Sequence, residues 1–372
     1  MTGYFTEARI ELGNSPAFIS RIGDHLKLYG AELSRWDNAL DASTELWTSS
    51  FESETDRLLV RAEASSLDML YLVKMTIAEQ VMQFVGDEAF RIAWTGDGSD
   101  LTVPPNFSVM EVASVRDVTP HMRRITLRGD DLSRFDTLEA LHLRILVQHP
   151  EAPTPQWPTL DPNGIVRWPD GEHRPRLRVY TVRNVDVAAG TMDLDFVLHG
   201  DAHTEGGPGT APGADWARHA AIGQPMGIIG PGGGGLKEAD WYLFAGDETG
   251  LPAIGRMLEA LPPQARGHVI VEVADAGEEQ ALAAPQGFEI RWLHRNGAEA
   301  GTTTQLADAV KGVSFPRDGR EVYAWAACEF DAFRAIRTYL RKEVRLARAD
   351  HLVVSYWRRG RSEEESGGHH DD

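Results

Sequence analysis

A single cysteine, Cys328, is all that the 372 residues contain. One thiol cannot build an internal disulfide framework, an all-cysteine iron–sulfur cluster or a cysteine zinc site within one chain. Electrons passing through such a molecule must travel on an organic cofactor. Long apolar runs are missing as well: nothing approaches the ~18 residues of a membrane span, so no integral membrane association is expected. The opening residues, Met1-Thr2-Gly3-Tyr4-Phe5-Thr6-Glu7, lack the basic start and apolar core of a secretory signal, which predicts a cytoplasmic protein. Positive charge is also scarce, with 37 Lys and Arg against 56 Asp and Glu for a formal net charge of -19. That balance disfavours nucleic acid as a partner, because a phosphate backbone needs clustered cations. The 13 histidines show no metal-ligand spacing, and no resident metal is expected. No Gly-x-Gly-x-x-Gly fingerprint leads from a strand into a helix, which argues against a tightly held dinucleotide of the Rossmann kind.

What is present divides into three textures, as the length suggests. Residues 1–100 read as a small α+β domain. Asn14-Ser15-Pro16 opens a helix that runs to about Tyr29. Residues 46–51 and 58–64 read as strands. Ser65-Ser66-Leu67-Asp68 starts a second helix whose apolar face is Leu70, Val73, Ile77, Val81 and Phe84. A last strand ends at Trp94. The turn-rich stretch 95–100 and Pro104-Pro105 form the linker.

Residues 101–231 change to short strands at 108–115, 122–128, 141–148, 178–185, 191–198 and 225–229. Such a series with Gly and Pro turns fits a six-stranded antiparallel β-barrel, with 150–175 as a long loop. Beyond the hinge Gly230-Pro231-Gly232-Gly233-Gly234-Gly235, residues 232–360 alternate strand and helix. Strands at 241–245, 269–274, 289–293 and 322–327 predict an open parallel sheet that binds ligands at its carboxyl edge. The glutamate-rich end, 361–372, reads as a disordered acidic tail.

One stretch carries the strongest chemical signal. Arg176-Leu177-Arg178-Val179-Tyr180-Thr181-Val182-Arg183 alternates as a strand does, so Arg178 and Tyr180 project to the same side. A guanidinium there can fork onto a phosphate, and a phenol ring can lie flat on a planar heterocycle. After a loop of small residues at 199–213, a helix starting near Asp215 would turn its positive end toward a pyrophosphate.

These features resemble the siderophore-interacting proteins, FAD-dependent ferric-siderophore reductases of ferredoxin-reductase-like fold. The likeness spans about Phe107 to Gly360 in ordered blocks: Thr119-Pro120-His121-Met122, 178–183, Asp195-Phe196-Val197-Leu198-His199-Gly200, Ala245-Gly246-Asp247-Glu248-Thr249, Trp292-Leu293-His294-Arg295 and Tyr356-Trp357-Arg358. The resemblance implies FAD in the barrel and NADH or NADPH as electron donor at the parallel sheet. Arg178 would hold the FAD phosphates, Tyr180 would stack on the isoalloxazine and Thr181 would bond near its N5, making Tyr180 and Thr181 the catalytic pair. Val179, Val197, His199, Gly213, Ala214 and Trp216 would complete the FAD contacts. Gly246, Asp247, Glu248, Thr249, Cys328 and Glu329 would border the dinucleotide, with Asp275 favouring a ribose hydroxyl over a 2′-phosphate.

The chain departs from the family in its longer 199–213 loop, in lacking an Arg within the Gly-Pro hinge, and in carrying Cys328 where relatives have Gly. The implied substrate is a ferric siderophore, handled by a monomer or weak dimer. A general flavin-linked reductase and a non-catalytic siderophore-binding or sensing flavoprotein stay open beside it. Arg334, Arg337, Arg341, Arg345 and Arg348 recur three or four apart after Cys328, which predicts one basic helix face. With Arg358, Arg337 and Arg341 would draw in the anionic siderophore or the dinucleotide phosphates.

Overall fold

In the first strand only Thr6, Ala8 and Ile10 face inward, a pattern too short and too polar to announce itself. The computed structural model nevertheless pairs it on both sides, and describes residues 3–54, 57–86, 88–152, 154–198 and 211–361. His199, most of the 199–213 loop and the tail from residue 362 lie outside those residues.

Two compact units emerge, each built on its own core. In the first, β1 (Tyr4–Glu11), β2 (Glu32–Trp36), β3 (Ala39–Ser43), β4 (Trp47–Glu54), β5 (Arg57–Ala64) and β6 (Ile92–Gly96) form an antiparallel sheet in the order β2-β3-β4-β5-β1-β6. Helices α1 (Ser15–Leu28) and α2 (Leu67–Val85) pack against it. Phe18 and Ile22 of α1 and Leu70, Ile77 and Val81 of α2 meet Ile10, Phe51, Leu58 and Val60 of the sheet. Ser66 caps α2 by accepting the Met69 N–H at 3.1 Å, as its place before the apolar run predicts. The hairpin β2–β3 escaped the sequence reading because nearly every side chain of β2 faces solvent, leaving no alternation to detect.

The stretch Gln148–Pro175 belongs to this first unit rather than being a bare loop. It forms a two-stranded ribbon, β10 (Thr159–Leu160) with β11 (Val166–Arg167), around a turn in which Asp161 accepts the N–H groups of Asn163 and Ile165, both at 2.9 Å. Asn163 then covers the edge strand β6: its Oδ1 accepts the Ile92 N–H and its carbonyl accepts Trp94 Nε1–H, each at 2.9 Å. An edge strand otherwise offers unpaired backbone groups to other chains, and a side chain that satisfies them closes the sheet.

The second unit contains the expected barrel and parallel sheet. Strands β7 (Phe107–Thr119), β8 (Met122–Arg128), β9 (His142–Val147), β12 (Arg176–Asp186), β13 (Thr191–Val197) and β14 (Pro225–Gly232) close as β12-β13-β8-β7-β14-β9, with α3 (Pro212–His219) between β13 and β14 in sequence. Val112, Ile125, Leu143, Ile145, Leu194 and Phe196 fill the interior. The α/β half comprises β15 (Trp241–Gly246), α4 (Leu251–Ala260), β16 (Arg266–Val273), β17 (Gly287–His294), α5 (Gln305–Lys311), β18 (Val322–Glu329), α6 (Phe330–Tyr339) and β19 (His351–Trp357). Its five parallel strands run β17-β16-β15-β18-β19. The central pair, β15 and β18, is buried almost throughout, as strands covered on both faces must be. The half-exposed fifth strand, β19, lacks that continuous apolar run and had no sequence signal of its own. No helix among the described residues is long and apolar enough to cross a membrane.

The basic helix face is corrected by the structure. The α-helix stops at Tyr339, a π turn covers Leu340–Val344, and Arg345 takes a left-handed conformation with φ 64°. Arg345 and Arg348 therefore leave the row. Arg341 Nε donates to Nε2 of His351, the first residue of β19, at 3.0 Å. That is the amino edge of the parallel sheet, opposite to the carboxyl edge at which siderophore or dinucleotide phosphates are expected.

Barrel and sheet are joined through α4. Arg256 is buried and donates to the carbonyls of Val182 (2.9 Å), Phe135 (2.7 Å) and Thr137 (2.9 Å). Arg183 of β12 forks onto Glu259 at 2.9 and 2.6 Å, and Gly255 leaves room for that guanidinium. Met122 and Leu141 of the barrel half share one apolar cluster with Phe244, Ile254 and Met257. Replacing Arg256 by Ala strands three acceptors, two of whose bonds are wholly buried, and should lower the unfolding free energy by about 3 kcal/mol. Urea unfolding of parent and variant measures it; a loss under about 1 kcal/mol would mean that water replaces the guanidinium.

Candidate functional site

Strand β12 pairs with β9 through Arg176–Thr181 and with β13 through Val182–Asp186, so its register is fixed along its length. Arg178 is buried to 8% exposure and Thr181 to 4%, whereas Val179, between them along the strand, stands 47% exposed. Arg178 Nη1 donates to the Leu177 carbonyl at 2.7 Å, which bends the guanidinium back along the strand. The Tyr180 ring lies 4.2 Å from that of Phe196 at an interplanar angle of 36°, and Phe196 in turn meets Trp216 of α3 at 5.4 Å. Sequence assigned Tyr180 and Trp216 to one site, and the structure brings them together through Phe196. Gly213, near the start of α3, faces the Tyr180 phenol: a Cβ there would come 2.3 Å from its oxygen. Only glycine lets the helix amino end approach that ring so closely. Ala214 is buried beside it, and Val197 packs toward the apolar cluster that α4 shares with the barrel.

Thr181 sits where the barrel meets the end of the parallel sheet. Its partner across the β9 pairing is His142, whose Nε2 makes a short hydrogen bond with the hydroxyl of Tyr356 near the end of β19. The Thr181 hydroxyl oxygen is buried and has no well-formed hydrogen bond among the described residues, although the Tyr356 phenol lies near enough to feel it. Burial drives the Tyr356 phenol far above its ordinary range, so it stays neutral. His142 and Tyr356 carried no recognisable spacing in the sequence; 214 residues separate them.

At the carboxyl edge of the sheet the loop after β15 rests on the backbone of β18. A Cβ at Gly246 or Gly250 would approach the Ala327 carbonyl to 2.8 or 2.6 Å. Asp247 follows and takes four donors: Thr249 N–H (2.9 Å) and Oγ1–H (2.5 Å) on one oxygen, Glu329 N–H (3.0 Å) and Trp357 Nε1–H (2.8 Å) on the other. One carboxylate thus ties together the ends of β15, β18 and β19. Burial outweighs those donors and, with Glu248 nearby, raises the Asp247 pKa from 3.8 to about 6.

Other predicted contacts are turned inward. Glu248 is held in a buried fork by Arg295, which also lies 3.6 Å from Glu272. Glu329 caps α6 by accepting the Asp331 N–H at 2.6 Å. Cys328 is fully enclosed among apolar residues of the β18 and α6 side, and burial holds its thiol well above the ordinary value. Asp275 accepts the Gly277 N–H at 2.7 Å, which fixes the turn after β16. Among the basic residues assigned to substrate, Arg358 stays at the ligand edge, its guanidinium 4.3 Å above the Phe330 ring at the start of α6. Arg337 lies further down that helix over Phe333 at 5.5 Å.

Residues 111–235 match the siderophore-interacting FAD-binding domain, and residues 239–360 match the siderophore-interacting protein domain. The ferric vibriobactin reductase of Vibrio cholerae is 35% identical over 250 residues, which cover 66% of this chain and 88% of that protein. Among solved structures, a siderophore utilization protein from T. fusca shares 37% identity with a TM-score of 0.57, over 69% of this chain and 94% of that one. A siderophore-interacting protein from Aeromonas hydrophila shares 30% identity with a TM-score of 0.59, over 70% and 94%.

The barrel is accordingly an FAD-binding domain, and its residues fit that cofactor. A buried hydroxyl without a well-formed bond at Thr181, a cradle at Gly213 that a methyl group would fill, and a buried arginine one strand step before Tyr180 are all features a bound flavin accounts for. Gly213→Ala should therefore weaken FAD binding about tenfold by pushing Tyr180 off its place, the loss of a contact worth about 1.4 kcal/mol. Fluorescence titration of apoprotein with FAD reads this, and parental affinity would show that the helix shifts without cost.

Asp247 makes a pH prediction. An acid whose folded pKa is raised binds its proton more tightly when folded, so its contribution to stability falls as pH rises from about 4 to about 6. The parent should lose about 1.4 kcal/mol of unfolding free energy between roughly pH 5 and pH 7.5 from this group, a loss that Asp247→Asn removes. Equal pH dependence in the two proteins would mean that the four donors keep the carboxylate ionised.

Proposed function

The chain belongs to the siderophore-interacting protein family, and from that premise we propose that it is an NAD(P)H-dependent ferric-siderophore reductase that releases iron in the cytoplasm as Fe(II). The observation that supports this reading best is the meeting at Thr181 of the flavin strand and the end of the parallel sheet, through Tyr356 and His142. A dinucleotide bound along the carboxyl edge of such a sheet would bring its reactive end to that junction. FAD, when bound, can accept a hydride and release its electrons singly, which matches a two-electron donor to a one-electron acceptor.

The protein's own part is position and electrostatics. Arg178 would hold phosphate by a charge-assisted bond, and Tyr180, backed by Phe196 and Trp216, would give the ring system a fixed platform. The buried Thr181 hydroxyl would supply one oriented hydrogen bond at the reacting edge, beside Tyr356 and His142. Asp247 would keep the ends of β15, β18 and β19 in register around the incoming nicotinamide. Arg358, over Phe330 at the same edge, would meet an anionic iron chelate. Reduction serves as release because hard oxygen cages suit Fe(III) and hold the less charged ferrous ion far less well.

The reading is tested without oxygen. NADH or NADPH should bleach the flavin absorbance of the purified protein, and a ferric siderophore should restore it while a ferrous chelator develops colour. Arg178→Ala should retain the fold and bind FAD roughly ten- to hundred-fold more weakly, the span of a lost charge-assisted contact of about 1.5–3 kcal/mol. A flavin that neither dinucleotide reduces, or that the ferric complex leaves reduced, would overturn the proposal.

A further inference from the structure

Another buried carboxylate lies between the barrel and the parallel sheet, away from Asp247. Glu278 ends the short turn Ala276–Glu278 that follows β16, on the ligand edge of the parallel sheet, and is only 3% exposed. Its partners all belong to the β7–β8 turn of the barrel. Glu278 Oε2 accepts the Thr119 hydroxyl at 2.5 Å, and Oε1 accepts the His121 N–H at 3.1 Å and lies 2.8 Å from His121 Nδ1. Two residues on, Gln280 Nε2 reaches Met122 Sδ at 3.3 Å. The carbonyl of the same His121 accepts the Leu198 N–H at 2.8 Å, at the end of β13. Phe196, two residues earlier on that strand, is the ring against which Tyr180 packs. A continuous series of direct bonds and packing therefore runs from the dinucleotide edge through Glu278, His121 and β13 to the flavin platform.

From this we infer that Glu278 is a positioning residue for hydride transfer: it sets the register between the dinucleotide edge and the FAD platform. The inference rests on the reading of those two edges as donor and flavin sites. Mere adhesion does not explain the geometry. The halves are already joined by Arg256 and by a shared apolar cluster. Burying an ionisable carboxyl carries a desolvation penalty, and an apolar contact of similar volume would hold two surfaces together at least as well. What a carboxylate with three directional partners adds is a fixed distance and angle, and hydride transfer is sensitive to both: misplacement by about 1 Å can cost a hundredfold in rate.

The test compares parent, Glu278→Ala and Glu278→Gln as FAD-loaded proteins, with amide hydrogen exchange also followed on the apoproteins. In the alanine variant, exchange at His121 and Leu198 should accelerate at least tenfold while FAD stoichiometry stays at one. Flavin reduction at saturating NADH or NADPH should slow about tenfold or more, with the KM for the donor changed less than twofold. The glutamine variant, whose amide oxygen can still accept from His121 N–H, should recover most of the rate. An alanine variant that exchanges faster yet reduces its flavin at the parental rate would make Glu278 a structural clamp and overturn the inference. Unchanged exchange at both amides would overturn it too. If the parent itself is reduced by neither donor, the reading of the previous section fails and takes the hydride-transfer role of Glu278 with it; altered exchange alone would not rescue that role.

Discussion

A guanidinium that bonds to carbonyls rather than to a carboxylate among the described residues holds the two halves of the second unit together. Arg256 leaves water to be bound by three backbone carbonyls, two of them from the segment Phe135 to Thr137 and one from the flavin strand itself. Burial pulls its pKa down, and the neighbouring charge of Arg183 works in the same direction against Asp136. Carbonyl dipoles are a weaker match than an anion, so the arrangement persists only while all three acceptors stay in place. That requirement is what makes α4 more than a covering helix: its residues cannot slide along β12 without stranding a desolvated cation. The places of Thr181, Tyr356 and Glu278 depend on this fixed contact, since each of those groups reaches across the same junction.

The carboxylates at the sheet edge and the threonine then divide the work in opposite ways. Asp247 has every lone pair occupied by protein donors, which makes it a fastener of strand ends rather than a ligand contact. Glu248 and Glu329 are spent likewise, on Arg295 and on the start of α6. Thr181 differs in being buried with its hydroxyl unclaimed by a well-formed bond among the described residues. In a protein interior such a group costs roughly 1–3 kcal/mol unless something binds it, which is the usual mark of a functional position.

Much of this was legible in the sequence wherever a periodic pattern coincided with burial on one face. Barrel strands such as β8 have that property, whereas the parallel strands β15 and β18 were legible as continuous apolar runs and the Arg178-Tyr180-Thr181 motif by its residue types. The strands β1, β2, β3 and β19 did not, because apart from Ile10 and Leu40 they bury small or polar residues or almost nothing. The run of arginines after Phe330 misled for a different reason: spacing of three and four specifies a helix face only while the helix lasts, and the π turn and Arg345 end it early. Partnerships such as His142 with Tyr356, or Glu278 with Thr119, join residues 214 and 159 positions apart and have no local signature at all. Cys328 was noticeable because it replaces a glycine, yet its side chain turns into the core, where spacing could not place it.

The ribbon at Gln148–Pro175 bears on how the gene can be cut. The polypeptide passes from one compact unit to the other after Phe107, returns after Val147 and leaves again after Pro175, so the small N-terminal unit is not a contiguous segment. Ile165 is part of its core, and Asn163 closes the β6 edge. An expression fragment ending near residue 100 would lack both, presenting an open strand and an incomplete core to its neighbours in solution. The reciprocal fragment, starting near residue 108, would carry the ribbon with its Ile165 and Asn163 deprived of their partners. Shuffling of the two units between genes would thus require the loop after β9 to be exchanged along with residues 1–107, a linkage invisible to any boundary drawn along the chain.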